Sequence, residues 1–293
     1  MTIPYSIFSS LRIHESAEVF RLLTNYKYAY IKGEALSYQA FGKMGQRRSQ
    51  DIDLLICRKD IKDIEHLLIS NGFRTRSLSK EDRVTAVAYS HQMPPYKRNG
   101  TFGSILFDLN FDVFWGEYTG QRINIDEFLT DTIEMEVYGV RVKTLPPLKA
   151  LIQLVLHHYK EMNSIYHLSC HNCINHKMFK EVYYLWKRNQ TDMKLDELFS
   201  VCYSYEILPY MYYVLYFTNL IYGDSELEKY VDTFKTPFGI YLLDYYGLSS
   251  RERKKWRVDF QTRLKTNNLL EIINNDLSEE DYEKIERTRI LFG

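Results

Sequence analysis

Two aspartates, Asp51 and Asp53, stand at the start of a short apolar run, Leu54-Leu55-Ile56. An apolar run bounded by polar and charged residues predicts a buried strand. Residues two apart point to the same face of a strand, so both carboxylates project side by side from its start. Close carboxylates repel each other, and a divalent cation such as Mg²⁺ or Mn²⁺ relieves that repulsion. A solvated turn before a strand is the ordinary alternative, since Asp-x-Asp is common on its own.

The segment before these aspartates carries features that phosphate binding requires. A strand is predicted at Tyr28–Ile31, it ends in Lys32 and Gly33, and a helix is predicted over Glu34–Phe41. The loop that follows contains two glycines and two arginines: Gly42, Gly45, Arg47 and Arg48. Glycine lets backbone N–H groups approach a phosphate, and the side chains of Lys32 and Arg47 supply charge that neutralises it.

This order of strand, Lys-Gly turn, helix, basic loop and Asp-x-Asp strand resembles the nucleotidyltransferase superfamily, whose catalytic domain is a palm like that of DNA polymerase β. Within it, the chain is similar to a bacterial branch of uncharacterised nucleotidyltransferase-like proteins. Those proteins carry an apolar-Lys-Gly turn followed by Arg-x-Ser-x-Asp-Ile-Asp-apolar. The resemblance covers residues 28 to about 160. The matching residues are Ile31-Lys32-Gly33 and Arg47-Arg48-Ser49-Gln50-Asp51-Ile52-Asp53-Leu54.

A third carboxylate is expected on the aromatic segment Ser104–Trp115, which alternation predicts to be a strand. Asp108, Asn110 and Asp112 share one face of that strand, and an exposed sheet face is the ordinary explanation for them. The resemblance implies instead that a carboxylate on a neighbouring strand faces the Asp-x-Asp pair. Relatives commonly read apolar-Asp-Leu-His there, and this chain reads Phe107-Asp108-Leu109-Asn110. We therefore predict Asp108 as the third carboxylate, with Asp112 in reserve.

The resemblance implies transfer of a nucleoside monophosphate from a nucleoside triphosphate (NTP) to an acceptor hydroxyl or phosphate. Two metals, ~3.5–4 Å apart, would be held by Asp51, Asp53 and Asp108, with Asp108 as the base. The acceptor stays open between a small molecule and a macromolecule. The implied nucleotide-binding residues are Lys32, Gly33, Arg47 and Ser49.

Two positions depart from the family pattern. Glu34 follows the Lys-Gly turn where relatives have serine or glycine, and Asn110 replaces histidine. Because a carboxylate is favourable in the first turn of a helix, we expect Glu34 to turn outward, away from phosphate. Both departures favour one alternative, a binding or regulatory protein on a degraded palm. Another alternative is a toxin-type transferase that acts on tRNA or protein.

The fold class predicted is α/β (α+β): a nucleotidyltransferase palm with a mixed sheet over residues 1–145, followed by a helical domain over 146–293. A hairpin is predicted at Glu134–Lys143, and a helix opens at Pro146-Pro147, so the boundary falls near residue 145. The other predicted elements are a helix over residues 10–24, a helix after Asp60 that ends at Asn71-Gly72, a strand at Val84–Tyr89, a buried helix at Ile207–Gly223, a solvated helix face at Arg251–Arg257 and a helix capped by Ser278-Glu279-Glu280-Asp281.

Charge and hydropathy limit the partners. Lysine and arginine total 38, as do aspartate and glutamate, so no broad nucleic-acid surface is expected. Residues Met1–Leu11 lack the basic start and apolar core of a signal peptide. The longest uncharged run, Ile207–Gly223, is shorter than the ~20 apolar residues of a spanning helix. The four cysteines suit a reducing compartment. We therefore expect a cytoplasmic protein without membrane contact.

A zinc site is the competing chemistry. The segment from His167 to His176 contains Cys170, His171 and Cys173, which are residue types that bind zinc. Structural zinc sites usually combine two separated pairs of ligands, and a second Cys-x-x-Cys is absent from the sequence. We therefore expect these residues to belong to an ordinary loop.

Overall fold

A mixed four-stranded sheet forms the framework of the first half of the chain. The strand order is β1-β2-β4-β3, in which β2 runs antiparallel to β1 and parallel to β4, and β3 and β4 are antiparallel. This arrangement confirms the predicted mixed sheet. The strands are β1 (Tyr28–Ile31), β2 (Ile52–Ile56), β3 (Tyr96–Gly100) and β4 (Gly103–Asn110).

The computed structural model describes residues 5–76, 79, 81, 83–84, 90–115, 123–171 and 173–292. The chain divides into two compact units, Met1–Ala150 and Leu151–Gly293. Of the strand predicted at Val84–Tyr89, Val84 has helical backbone, and the remainder lies outside the described residues.

Short helices flank the strands of the first unit. The helix predicted over residues 10–24 is instead two helices, because the chain turns at Ser16, whose hydroxyl donates to the carbonyl of Arg12 at 2.8 Å. In the helix Ile61–Ser70, the preceding Asp60 makes no capping hydrogen bond with its side chain. Gly72, at φ +85°, follows the end of this helix, as expected from the sequence. The helices are α1 (Tyr5–Glu15), α2 (Ala17–Leu23), α3 (Gly33–Phe41), α4 (Ile61–Ser70) and α5 (Ile125–Phe128), with a 3₁₀ turn at Arg58–Asp60.

The core of this unit lies against one face of the sheet. Phe107 of β4 is fully buried, and its ring centroid lies 6.1 Å from that of Phe20 in α2 and 5.0 Å from that of Phe73. Other strand residues in this core are Tyr28, Tyr30, Ile52, Leu54, Ile56, Ile105 and Leu109. Because strand side chains alternate, the residues between them, which include Asp53 and Asp108, belong to the opposite face.

Strand β4 ends at Asn110, so the predicted alternation through Trp115 is wrong beyond that residue. The backbone N–H groups of Phe111 and Asp112 both donate to the carbonyl of His91, at 2.9 and 3.3 Å. Asp112 then accepts a hydrogen bond from the N–H of Phe114 at 3.0 Å, which turns the chain. Asp112 therefore does not continue the sheet face of Asp108.

A β-hairpin closes the first unit and confirms the hairpin predicted from the sequence. Strands β5 (Ile133–Val137) and β6 (Val140–Thr144) pair across Tyr138 and Gly139. Both turn residues have positive φ, +49° and +82°, as a two-residue hairpin of this twist requires.

The second unit is predominantly helical, as predicted. Helix α10 (Leu208–Tyr222) is buried over much of its length, and in it Tyr213 packs 5.0 Å from Tyr159 and Phe217 stacks 4.0 Å from Phe260, measured between ring centroids. The helices are α6 (Pro147–Asn163, which begins in the first unit), α7 (Ile165–Leu168), α8 (His176–Asn189), α9 (Leu195–Ser204), α10 (Leu208–Tyr222), α11 (Ser225–Phe234), α12 (Pro237–Leu242), α13 (Phe260–Lys265), α14 (Leu270–Ile273) and α15 (Glu279–Phe292), with a 3₁₀ turn at Asn274–Asp276.

Two predictions in this unit have opposite outcomes. The prediction that Arg251–Arg257 forms a solvated helix face is wrong. This segment contains a turn and the two-residue strand β8 (Lys254–Lys255), which pairs with β7 (Tyr245–Tyr246). The cap at the start of α15 is confirmed, since Ser278 and Asp281 each accept the backbone N–H of the other.

None of the helices in the described parts of the chain combines the length and apolar character needed to cross a bilayer.

Candidate active site

Strand register brings three carboxylates together. Asp53 in β2 pairs directly with Asp108 in the parallel strand β4, so both side chains project from the same face. Asp51 lies just before β2. One oxygen from each of Asp51, Asp53 and Asp108 lies within 4.8 Å of the other two. The three residues predicted to hold divalent metal therefore form one cluster.

Burial and neighbouring charges perturb all three carboxyl groups. Burial raises the pKa of Asp53 above its usual value in spite of the nearby charge of Lys32. The pKa of Asp108 rises to about 7, because the group is buried and faces the negative charges of Asp53 and Asp51. Burial also acts to raise the pKa of Asp51, but Lys32 and a hydrogen bond from Ser49 outweigh it and hold that pKa below its usual value. Added positive charge would stabilise this cluster.

Lys32 supplies the nearest positive charge. Its Nζ lies 2.7 Å from Oδ1 of Asp53, and the two side chains are 11% and 3% exposed. The backbone at Lys32 has φ +59°, and Gly33 follows with φ +46° at the start of α3. A Cβ on Gly33 would lie 2.1 Å from the hydroxyl oxygen of Tyr30, so glycine is required at this turn.

Ser49 orients Asp51 and is itself held by α1. Its hydroxyl donates to Oδ1 of Asp51 at 2.5 Å. The Tyr5 hydroxyl donates to the Ser49 carbonyl at 2.7 Å and accepts from the Ser49 N–H at 2.6 Å. Arg12 donates to the same carbonyl at 2.8 Å. The predicted nucleotide-binding role of Ser49 stays a prediction, and its observed contact is with a carboxylate of the cluster.

The basic loop is organised by Ser37 of α3. The Ser37 hydroxyl accepts from the N–H groups of Gln46 and Arg47, at 2.9 and 3.3 Å, and donates to the carbonyl of Lys43 at 2.8 Å. Arg47 is only 9% exposed, and its charge acts on both Asp51 and Asp53. The loop thus directs a cationic residue at the cluster.

The position of the Glu34 side chain differs from the one predicted. It is 1% exposed and turns inward, where one oxygen accepts from the Ser9 hydroxyl at 2.5 Å and the other from the Gly45 N–H at 2.6 Å. The expectation that Glu34 turns outward is wrong, because these donors satisfy a carboxylate that would otherwise be buried alone. Glu34 joins α1 and α3 to the basic loop.

The second departure from the family pattern is also buried. Asn110 is 5% exposed, and its amide donates to the carbonyls of Leu54 and Asp108, at 3.4 and 3.3 Å. It therefore braces the two strands that carry the carboxylates.

Sequence reasoning missed the contribution of α1. Tyr5, Ser9 and Arg12 recur at positions i, i+4 and i+7, which share one helix face. That polar stripe at helical spacing was the available signal. Its meaning depends on contacts with Ser49 and Glu34, which lie 25 to 44 residues away in the chain.

A second group of possible metal ligands is present among the described residues. It consists of His157, His158 and Glu161, and neither this group nor the aspartate cluster includes Cys170 or Cys173. Both cysteines are free thiols.

The chain is similar to a protein family and to a solved structure. The sequence matches the family model described as uncharacterised nucleotidyltransferase over residues 10–223, which include Asp51, Asp53 and Asp108. A crystal structure of an antigenic nucleotidyltransferase-like protein from Paracoccidioides brasiliensis is similar at 20% identity and a TM-score of 0.42, over 76% of this chain and 93% of that chain. None of the curated proteins is similar enough to count as a match.

Replacing Glu34 tests the anchoring of the basic loop. We expect Glu34→Gln to lower the free energy of unfolding by about 1.5–3 kcal/mol, because charged hydrogen bonds to Ser9 and Gly45 are weakened. Urea denaturation measures the change. Glu18→Gln is the matched control, since Glu18 is exposed and pairs with its helix neighbour Arg21. Equal stability of the two variants would contradict the inward position of Glu34.

Asp108 predicts a pH dependence of stability in metal-free protein. Its pKa is about 7 in the folded state and near 3.8 when unfolded. Between these values the native state holds a proton that the unfolded state has released, so stability falls as pH rises from about 4 to about 7. Asp108→Asn removes this fall and should be more stable than wild type above pH 7, by a few kcal/mol at about 1.4 kcal/mol per pKa unit.

Denaturant titrations in the presence of a chelator, repeated across this pH range, check the prediction. The exposed Asp63 in α4 provides the control variant Asp63→Asn, whose stability profile should run parallel to that of wild type. Parallel profiles for Asp108→Asn and wild type would show that Asp108 ionises as freely as a surface carboxyl.

Proposed function

Because the chain belongs to the uncharacterised nucleotidyltransferase family, we propose that it moves a nucleoside monophosphate from an NTP to an acceptor hydroxyl or phosphate with the aid of Mg²⁺ or Mn²⁺. The observation that carries this proposal is the convergence of Asp51, Asp53 and Asp108 within 4.8 Å. Three carboxylates fit a divalent cation, because hard oxygen ligands suit Mg²⁺ and Mn²⁺. Burial, together with the neighbouring carboxylates, raises the pKa values of Asp53 and Asp108, and a bound cation would stabilise their ionised forms.

The chemistry requires an acceptor oxygen to bond to the α-phosphorus of the NTP while the bond to pyrophosphate breaks. Divalent cations held by Asp51, Asp53 and Asp108 would neutralise charge on the phosphates and lower the pKa of the acceptor hydroxyl. Asp108 takes the proton of that hydroxyl. In the metal-free protein the pKa of Asp108 is about 7, and a bound cation would lower it and keep the carboxylate ionised, as a base must be.

Lys32 has a second role in this proposal. Its ammonium pairs with Asp53 in the absence of other cations, at 2.7 Å. A divalent cation at the Asp53 carboxylate would replace this contact and leave the lysine ammonium available to the triphosphate. Arg47 and the N–H groups at the start of α3, near Gly33, hold the remaining phosphate oxygens.

Glu34 no longer favours the degraded, regulatory alternative. Its side chain is bound to Ser9 and Gly45, so the substitution at this position supports the loop that carries Arg47. Asn110 is likewise bonded to backbone carbonyls of β2 and β4. Both departures thus have structural roles that are compatible with catalysis.

Metal binding is the first test. Mg²⁺ or Mn²⁺ should raise the melting temperature of wild type, since a ligand at 100 times its Kd stabilises the native state by about 2.7 kcal/mol. The double variant Asp51→Asn/Asp53→Asn should fold and lose this response. Asp112→Asn is the matched control, because Asp112 is equally buried but lies outside the cluster. An equal shift in the double variant would contradict the site.

Catalysis is tested with Asp108→Ala, and Asp112→Asn is again the control. Pyrophosphate release from NTPs, measured with a panel of small-molecule and RNA acceptors, should be abolished by Asp108→Ala and retained by Asp112→Asn. The reverse result would assign the third carboxylate to Asp112.

Triphosphate binding is the second test. Lys32→Ala and Arg47→Ala should each weaken binding of a non-hydrolysable NTP in Mg²⁺ by one to two decades, because a charged hydrogen bond contributes about 1.5–3 kcal/mol. Arg48→Ala, an exposed neighbour in the same loop, should leave the affinity unchanged. Isothermal titration calorimetry gives the affinities. Failure of the wild type to bind any NTP would favour the regulatory alternative.

A further inference from the structure

The second unit holds a polar cluster that nucleotide transfer does not use. His157, His158 and Glu161 follow one another on helix α6, and one ligand atom from each lies within 4.8 Å of the others. Their side chains are only 15%, 4% and 29% exposed. Burying imidazole and carboxylate groups so close together costs free energy, which pairing with an opposite charge or binding of a metal offsets.

The spacing of these residues explains how one helix assembles the cluster. Residues three and four apart in a helix are neighbours on its surface. Accordingly, Glu161 meets Nε2 of His157 at 3.1 Å through one oxygen and Nδ1 of His158 at 3.4 Å through the other. Ligands at the corners of a tetrahedral zinc site lie about 3.3–3.5 Å apart, as bonds of about 2.0–2.1 Å dictate. The observed separations from Glu161 are close to this value.

Glu181 of helix α8 completes the arrangement. It is 2% exposed, and its Oε2 lies 3.6 Å from Nε2 of His158, the ring nitrogen that faces away from Glu161. A histidine that binds a metal almost always directs its other nitrogen at a carboxylate or carbonyl, which fixes the ring orientation. His158 therefore has one nitrogen in the cluster and the other opposite a buried carboxylate. Lys177 lies 3.6 Å from the second oxygen of Glu181 and shares its charge.

The contacts between His158 and its two carboxylate neighbours are long. The distances from His158 to Glu161 and Glu181, 3.4 and 3.6 Å, are longer than the about 2.7–3.2 Å of ordinary hydrogen bonds. Buried charges stabilise a fold only when their geometry is close. A cation held by the two imidazoles and Glu161 would replace these long contacts by metal–ligand bonds of about 2.0–2.2 Å.

We propose that His157, His158 and Glu161 bind a divalent transition metal, zinc by its ligand preference, and that Glu181 positions His158 for it. Two histidines and one carboxylate form a ligand set that zinc accepts, with a remaining position for water. Mg²⁺ avoids such nitrogen-rich sites. This site shares no residue with the aspartate cluster, and the proposal stands whether or not the chain transfers nucleotides.

Zinc titration of the metal-free, full-length protein tests the proposal. Excess Mg²⁺ is present throughout to saturate carboxylate sites, and a chromophoric chelator reports the affinity. Wild type should bind one equivalent of zinc. Glu181→Gln should lower the affinity about 10–100-fold, as expected for a residue that orients a ligand. His157→Ala, at a partly exposed ligand, should cause at least that loss.

Matched controls separate this site from other ligands in the same segment. His176→Ala changes an exposed histidine at the start of α8 and should leave zinc affinity unchanged. The double variant Cys170→Ser/Cys173→Ser should also bind as wild type does. Cobalt substituted for zinc should give the visible absorption of nitrogen and oxygen ligands without a thiolate charge-transfer band.

Three results would overturn the proposal. The first is that wild type fails to bind zinc in excess Mg²⁺. The second is that His157→Ala and His176→Ala bind zinc equally well. The third is that Cys170→Ser/Cys173→Ser loses its zinc affinity, or that the cobalt protein shows a thiolate band. Either finding would assign the metal to the Cys-x-x-Cys segment.

Discussion

Electrostatic repulsion among three carboxylates is the constraint on which the first unit depends. Parallel pairing of β2 with β4 fixes Asp53 beside Asp108, and Asp51 precedes them on the same strand end. Such a cluster is unfavourable by itself, since burial and like charge raise the pKa of Asp108 to about 7. Lys32 offsets part of this cost through its contact with Asp53. The apolar core on the opposite sheet face supplies the stability that lets the fold maintain this arrangement.

The loop that faces the carboxylates is held from two sides. Glu34 and Ser37 of α3 bind its backbone at Gly45 and at Gln46, while Tyr5 of α1 binds Ser49. Backbone N–H groups that are bound in this way keep a glycine-rich loop in a single conformation. Precise placement matters for a phosphate site, because catalysis by positioning loses much of its effect when a charged group is displaced by an ångström. A helix that precedes the sheet in sequence thus helps to build the candidate site.

The second unit handles its buried polar groups differently. Its core contains an aromatic group, in which Tyr159, Tyr213 and Phe217 are in contact through their rings. Within it, His158 lies between Glu161 and Glu181, and the pKa of His158 is raised because these carboxylates outweigh the effect of burial, which acts to lower it. Protonated histidine and a bound metal are two ways to neutralise the same glutamates, and they exclude each other.

The amino-acid sequence by itself determined the local elements and the residue types of the candidate site. Periodicity and turn residues were sufficient for β1, β2, the hairpin at Tyr138 and Gly139, and the capped helix α15, because these depend on neighbours in the chain. The family resemblance added Asp108 as the partner of Asp51 and Asp53.

Only the tertiary structure decided the direction of side chains whose partners are remote in sequence. Glu34 turns inward because Ser9 and Gly45 converge on it, and helix-terminal electrostatics alone favoured the opposite direction. Strand β4 stops at Asn110 because the next N–H groups bond to His91, which no alternation pattern reveals. The link from His158 to Glu181 likewise required two helices to pack. In each case the decisive free energy comes from satisfying a buried polar group, and the partners that satisfy it are brought together only by folding.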